Sequence, residues 1–122
     1  MFPLLFLVTA CTKQPKLESL NLEKWSADRG GCNGERTRSI EKLKSLKQEI
    51  KGVSSNDLDD YLGTPDIQQL ADRSQKYYIY FLEKGVHCED LKLHSDARSM
   101  SVRFSAMGMA TEVTFQRGVP SE

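Results

Sequence analysis

Three cysteines, two histidines, a serine pair and a run of aspartates are the side chains here with covalent, metal-binding or acid–base chemistry. His87 and Cys88 are adjacent and His94 follows, a donor set that a borderline-soft metal ion accepts. A fourth ligand is not evident, so the reading assigns no metal and no cofactor. Asp57, Asp59 and Asp60 are crowded, yet the glycine and closing glutamate of a calcium loop are missing. The run Gly30-Gly31-Cys32-Asn33-Gly34 lacks the Lys and Ser/Thr that a phosphate loop places after its glycines. Ser54 and Ser55 have no histidine set beside them by any motif, and a hydroxyl needs a base within reach to become a nucleophile. The chain is therefore expected not to be an enzyme.

Cys11 carries a different chemistry. The ten residues before it, MFPLLFLVTA, are apolar and end in a small residue, which is the pattern of a lipoprotein signal peptide. Cleavage would fall before Cys11 and its thiol would carry a diacylglycerol. No Lys or Arg precedes the apolar run, which leaves the true start codon open. Residues 1–10 are expected as signal peptide and residues 11–24, polar with Pro15, as a lipidated flexible tether. At about 0.8 kcal/mol per buried methylene, three acyl chains would hold the protein on a bilayer. Thr12 stands after the cysteine where Asp would favour retention, so by analogy with bacterial lipoprotein sorting the expected address is the outer membrane of a diderm envelope. With Cys11 used in this way, Cys32 and Cys88 are left as a pair in an oxidising compartment, and a disulfide between them is expected. Lys plus Arg and Asp plus Glu are 17 each. That balance offers no basic surplus for nucleic acid, so the expected partners are the membrane, through Cys11, and an envelope protein.

The elements that must position these residues follow from periodicity. Residues 25–118 are expected as a single domain and 119–122 as a tail. Trp25 is expected to pack at the domain edge near Cys32, as a core anchor in preference to a ligand-stacking residue, and Asn33 is expected as a helix cap. Ile40, Leu43, Leu46 and Ile50 make one apolar stripe on a helix spanning 35–51. Gly52 ends it, and Ser54 or Ser55 caps a second helix whose Leu58, Tyr61 and Leu62 share a face before Gly63 and Pro65 stop it. Residues 66–75 are expected as a connector. KYYIYFL, residues 76–82, is the strongest strand, with Tyr77, Ile79 and Phe81 on one face and Tyr78, Tyr80 and Leu82 on the other. One face must meet the helices; the tyrosine face is either solvated or offered to a partner. The candidate partner surface is Tyr78 and Tyr80 with the loop around Gly85 and His87. Residues 99–105 and 110–117 predict a hairpin turning at Gly108. The expected fold is α+β, two helices on one face of a three-stranded antiparallel meander.

The order G-x-S-x-x-D-L-x-x-x-L-G-x-P-D from Gly52, through Ser54, Leu62, Gly63 and Pro65 to Asp66, then an aromatic strand and two strands ending in V-x-F, resembles the SmpA/OmlA family of small outer-membrane lipoproteins. The resemblance covers about residues 40–115. It implies the same order of elements, shared with the β-lactamase-inhibitor-protein type of fold. It also implies a BamE-like accessory or scaffold role in outer-membrane assembly. The upstream WSADRGGCNGER is similar to a stretch in small envelope lipoproteins. The alternative within the same fold is an inhibitor-like or ligand-sensing binding module.

Overall fold

Short helices in the first half of the chain and strands in the second assemble as α+β, with five helices and a four-stranded antiparallel sheet among the described residues. The computed structural model describes residues 13–120. The helices are α1 (Leu22–Ala27), α2 (Glu35–Arg38), α3 (Ile40–Ser45), α4 (Lys47–Ile50) and α5 (Ser55–Leu62). The strands are β1 (Ile67–Leu70), β2 (Lys76–Phe81), β3 (Arg98–Phe104) and β4 (Ala110–Arg117), in spatial order β1-β2-β3-β4. Pairing Tyr78 with Val102 and Tyr80 with Met100, and Val102 in turn with Val113, stacks apolar side chains on one face of the sheet. That face is the core, closed by Trp25, Ile40, Leu43, Ile50, Leu58 and Leu62.

Several expectations change. The helix expected over 35–51 is broken at Ser39 and Leu46, where the amides of both residues bond three residues back, to Arg36 and Leu43. Three-residue steps between Ile40, Leu43 and Leu46 drift around an α-helix but line up on a 3₁₀ turn, so tightening at these points keeps the apolar stripe facing the sheet. The connector expected at 66–75 contains β1, a fourth strand, which makes the three-stranded meander four-stranded. Asn33 caps nothing: the N-cap of α2 is Gly34, and Asp28 takes over the capping chemistry by accepting from the amides of Asn33 (2.7 Å) and Arg36 (3.0 Å).

The segment expected as a flexible tether is part of the domain from Lys13 onward. Leu17 and Leu20 are buried in the core and Asn21 caps α1, while Lys13 Nζ donates to the Gln48 and Lys51 carbonyls. Burying two leucines outweighs the freedom of a short polar stretch. The signal peptide, Cys11 and Thr12 lie outside the described residues. So do residues 121 and 122 of the expected tail; Pro120 before them accepts a bond from the Gln69 side chain.

Other expectations are met. Ser54 Oγ accepts from the Asp57 amide at 3.1 Å, Gly108 turns the β3–β4 hairpin at φ 83°, and Cys32 and Cys88 form a disulfide with Cα atoms 6.0 Å apart.

Glu83 clips the base of the long loop between β2 and β3. Its carboxylate accepts from the Arg98 amide (2.9 Å) and Arg98 Nε (2.6 Å), with Arg117 at 3.6 Å. The Arg98 backbone N–H, opposed by partial burial and reinforced by the two arginines, holds its pKa below the ordinary carboxylate value of 4.5. The unfolded chain therefore binds this proton more readily, so the clip stabilises above that value and the contribution is lost as pH falls through the lower folded pKa. Glu83→Gln is expected to flatten the acid limb of a plot of melting temperature against pH. An unchanged limb would contradict the assignment.

Candidate functional site

Two sequence motifs that are far apart in the chain lock together at one end of the core. Asp66 ends the LGTPD turn, and Arg36 ends WSADRGGCNGER; Arg36 Nη1 donates to Asp66 Oδ2 at 2.8 Å. The same oxygen accepts from the Phe81 amide (2.8 Å) and Asp66 Oδ1 from the Gly30 amide (2.9 Å). Arg36 Nε donates to the Trp25 carbonyl, its guanidinium lies 4.6 Å from the Trp25 ring centroid, and Trp25 Nε1 donates to the Leu62 carbonyl. Trp25 is thus the core anchor expected, but buried within the core and not at its edge, because its indole N–H finds a carbonyl at the helix end. Gly31 lets this end approach β2: a Cβ there would sit 2.7 Å from the Glu83 amide nitrogen, at a φ of 68° that also favours glycine.

Burial lowers the Arg36 pKa, opposed by the charges of Asp66 and Asp28. Arg36 is fully buried and the Asp66 side chain is 2% exposed, so the pair is held within the fold. It is a scaffold. Nη2 of Arg36 has no hydrogen-bond partner among the described residues.

The expected partner surface is not a surface. Alternation along β2 is as read, but the tyrosine face turns inward. Tyr80 is fully buried and donates to the Gly63 carbonyl (2.9 Å), and Tyr78 packs edge-on against Phe104 with its hydroxyl toward Asp59. Burial raises the Tyr80 phenol well above its usual range. Asp59 within α5 and the carbonyl of Gly63 at its C-cap lie where the hydroxyls arrive, so two tyrosines satisfy themselves inside the core. On the opposite face the β2–β3 loop covers Phe81, while Tyr77 is half-buried beside Arg103. His87, also expected at the surface, is buried and stacks on Phe81 at 3.9 Å between ring centroids. Gly85 is half-buried and fits because a Cβ would meet Ser95 Oγ at 2.7 Å. Tyr78 and Tyr80 therefore lie on one side of the sheet and His87 on the other. His94 is exposed and stands apart from the Cys32, His87 and Cys88 cluster.

What remains open to solvent lies at the edge. Among the described residues no strand pairs with the outer side of β1, whose Gln68 is exposed and whose Leu70 is 74% exposed. Beside it runs a groove of about 250 Å³ lined by Ile67, Phe81, Leu91, Leu93, His94 and Val119. Leu91 and Leu93 are each about half exposed. Sequence reading missed this site because a four-residue strand of Ile, two Gln and Leu gives too short a pattern; the leucines of an otherwise polar loop were the available signal. Unpaired N–H and C=O groups beside a groove of mixed lining, apolar at Ile67, Phe81, Leu91, Leu93 and Val119 and polar at Gln68, Gln69, Lys92, His94 and Ser95, suit an extended backbone with alternating side chains.

Edge and groove are the open features of a small α+β domain whose Arg36–Asp66 pair is buried. Comparison with protein-family models, curated proteins and solved structures finds no match. Among the described residues no helix is long and apolar enough to cross a membrane.

Proposed function

We propose that this protein is a lipid-anchored envelope protein that works by binding another protein, as a BamE-like accessory or scaffold at the outer membrane. The observation that carries the binding reading is the unpaired edge of β1 beside the groove of Leu91 and Leu93. The partner contributes an extended segment that adds to β1 and places apolar side chains in the groove. Acyl chains on Cys11 would confine the domain to the bilayer and raise its effective concentration for partners there. The resemblance at Gly52, Ser54, Leu62, Gly63 and Pro65 supports the envelope setting.

The double variant Leu91→Ser/Leu93→Ser tests the reading. Both side chains are exposed, so stability is expected to change by no more than about 0.5 kcal/mol. Recovery of the membrane partner by crosslinking and purification is expected to fall at least about tenfold, as loss of two groove contacts predicts. Unchanged recovery would overturn the site, and equal recovery from a Cys11→Ser protein would overturn the anchoring.

One observation favours a ligand-sensing module as the second reading. A groove of about 240 Å³ on the other side of the sheet has Ile40, Leu82 and Phe115 in its walls and Lys44, Arg98 and Arg117 around them. An anionic amphiphile suits that combination, and the leucine variant would leave its binding unchanged.

A further inference from the structure

The disulfide and the buried histidine beside it carry a second chemistry, independent of the edge-binding reading. Cys32 Sγ, Cys88 Sγ and a ring nitrogen of His87 all lie within 4.8 Å of one another, and His87 Nε2 is 3.6 Å from Cys88 Sγ. Tetrahedral zinc with bonds of about 2.3 Å to sulfur and 2.0–2.1 Å to nitrogen holds such donors roughly 3.5–3.8 Å apart. His87 Nε2 and Cys88 Sγ are already at that spacing and Cys32 Sγ is within 4.8 Å; the two sulfurs are held closer only by their mutual bond.

We propose that reduction of the Cys32–Cys88 disulfide creates a binding site for a thiophilic divalent cation such as zinc, with Cys32, Cys88 and His87 as its ligands. Three features beyond proximity support it. The imidazole is fixed before any metal arrives, since its Nδ1 lies 2.8 Å from Ser95 Oγ and its ring stacks on Phe81. Such a partner on the far nitrogen is what orients a metal-bound histidine. The sulfurs have room to part, because a cleft of about 170 Å³ lined by Arg29, Asp66 and Leu91 adjoins Cys32, His87 and Cys88. That cleft also leaves the fourth coordination position to water, the arrangement of three protein ligands and one open site. Finally, the ligands come from two segments, Cys32 ahead of α2 and His87 with Cys88 on the β2–β3 loop, so the metal would replace the disulfide as their link.

The chemistry balances with a dithiol as reductant. The dithiol gives two electrons and two protons to the Cys32–Cys88 bond and becomes a disulfide, leaving two thiols. The cation then displaces both thiol protons and binds the Nε2 lone pair. Before metal binding Nε2 carries the ring proton, since the Gly30 carbonyl it meets at 2.7 Å can only accept, and Nδ1 accepts from the Ser95 hydroxyl. On binding, Nε2 releases that proton to solvent and Nδ1 takes one up, so that Nδ1–H then donates to Ser95 Oγ.

The test is an anaerobic titration of the full chain, carrying Cys11→Ser, with cobalt(II) as the spectroscopic stand-in for zinc. The protein reduced by a phosphine is expected to develop thiolate-to-cobalt charge-transfer absorption that saturates at one equivalent and is erased by zinc. The oxidised protein is expected to show none. His87→Gln should raise the half-saturating cobalt concentration at least about tenfold, and Ser95→Ala should raise it by a smaller factor through the same ring. Near-UV circular dichroism of the reduced protein is expected to keep its native signal. Three results would each overturn the proposal: no charge-transfer band after reduction, a His87→Gln titration equal to that of the parent, or loss of the native signal on reduction, which would disperse the ligands.

Discussion

Asp66→Ala is expected to lower the free energy of unfolding by about 3–5 kcal/mol, read as a shifted midpoint in a urea titration. The size follows from what is left behind. Asp66 answers the Arg36 guanidinium and the Phe81 and Gly30 amides, and its alanine variant leaves a fully buried cation and two backbone donors without that acceptor. Asp28 remains near Arg36 but is already engaged by the amides of Asn33 and Arg36. The exposed pair of Arg38 and Glu35, also 2.8 Å apart, is the control; Arg38→Ala should cost well under about 1 kcal/mol because solvent screens it. A loss at Asp66 no larger than the loss at Arg38 would mean that the buried pair is not the lock between the two motifs.

Cys32→Ala/Cys88→Ala is expected to cost about 4 kcal/mol by the chain-entropy argument, since the bond joins residues 56 apart in sequence. It also ties the β2–β3 loop, which covers Phe81, to the turn ahead of α2. Protease sensitivity within residues 84–97 should therefore rise in the variant before the rest of the domain opens. An unshifted urea midpoint would contradict a structural role for the bond. Uniform opening without early cleavage of the loop would contradict its local one.

Much of this fold was legible. Alternation in KYYIYFL gave the two faces of β2 residue by residue, Gly108 gave the last hairpin, the Ser54-Ser55 pair gave a helix start, and the cysteine count gave the disulfide. The candidate site was not, for physical reasons that differ from residue to residue. Both faces of β2 are apolar, so composition leaves open which meets the helices; the choice falls to Gly63 and Asp59, whose oxygen atoms receive the two tyrosine hydroxyls. Arg36 sits among Glu35, Arg38 and Glu41, where a charge reads as solvated, and its partner lies 30 residues away. Leu17 and Leu20 lie in a polar stretch of no clear period, yet they close the core. Short range patterns fix elements; long-range pairing fixes which surfaces are left over.

The central claim is that the β1 edge is where this protein meets its partner. A photo-crosslinking residue placed at Gln68, on that edge, tests it directly when compared with one at Met107, which is 88% exposed at the far hairpin turn. In intact cells the account predicts one discrete crosslinked protein from position 68, lost in the Leu91→Ser/Leu93→Ser background, and none of that species from position 107. Crosslinking of the same species from Met107 alone, or from both positions regardless of the leucines, would contradict it.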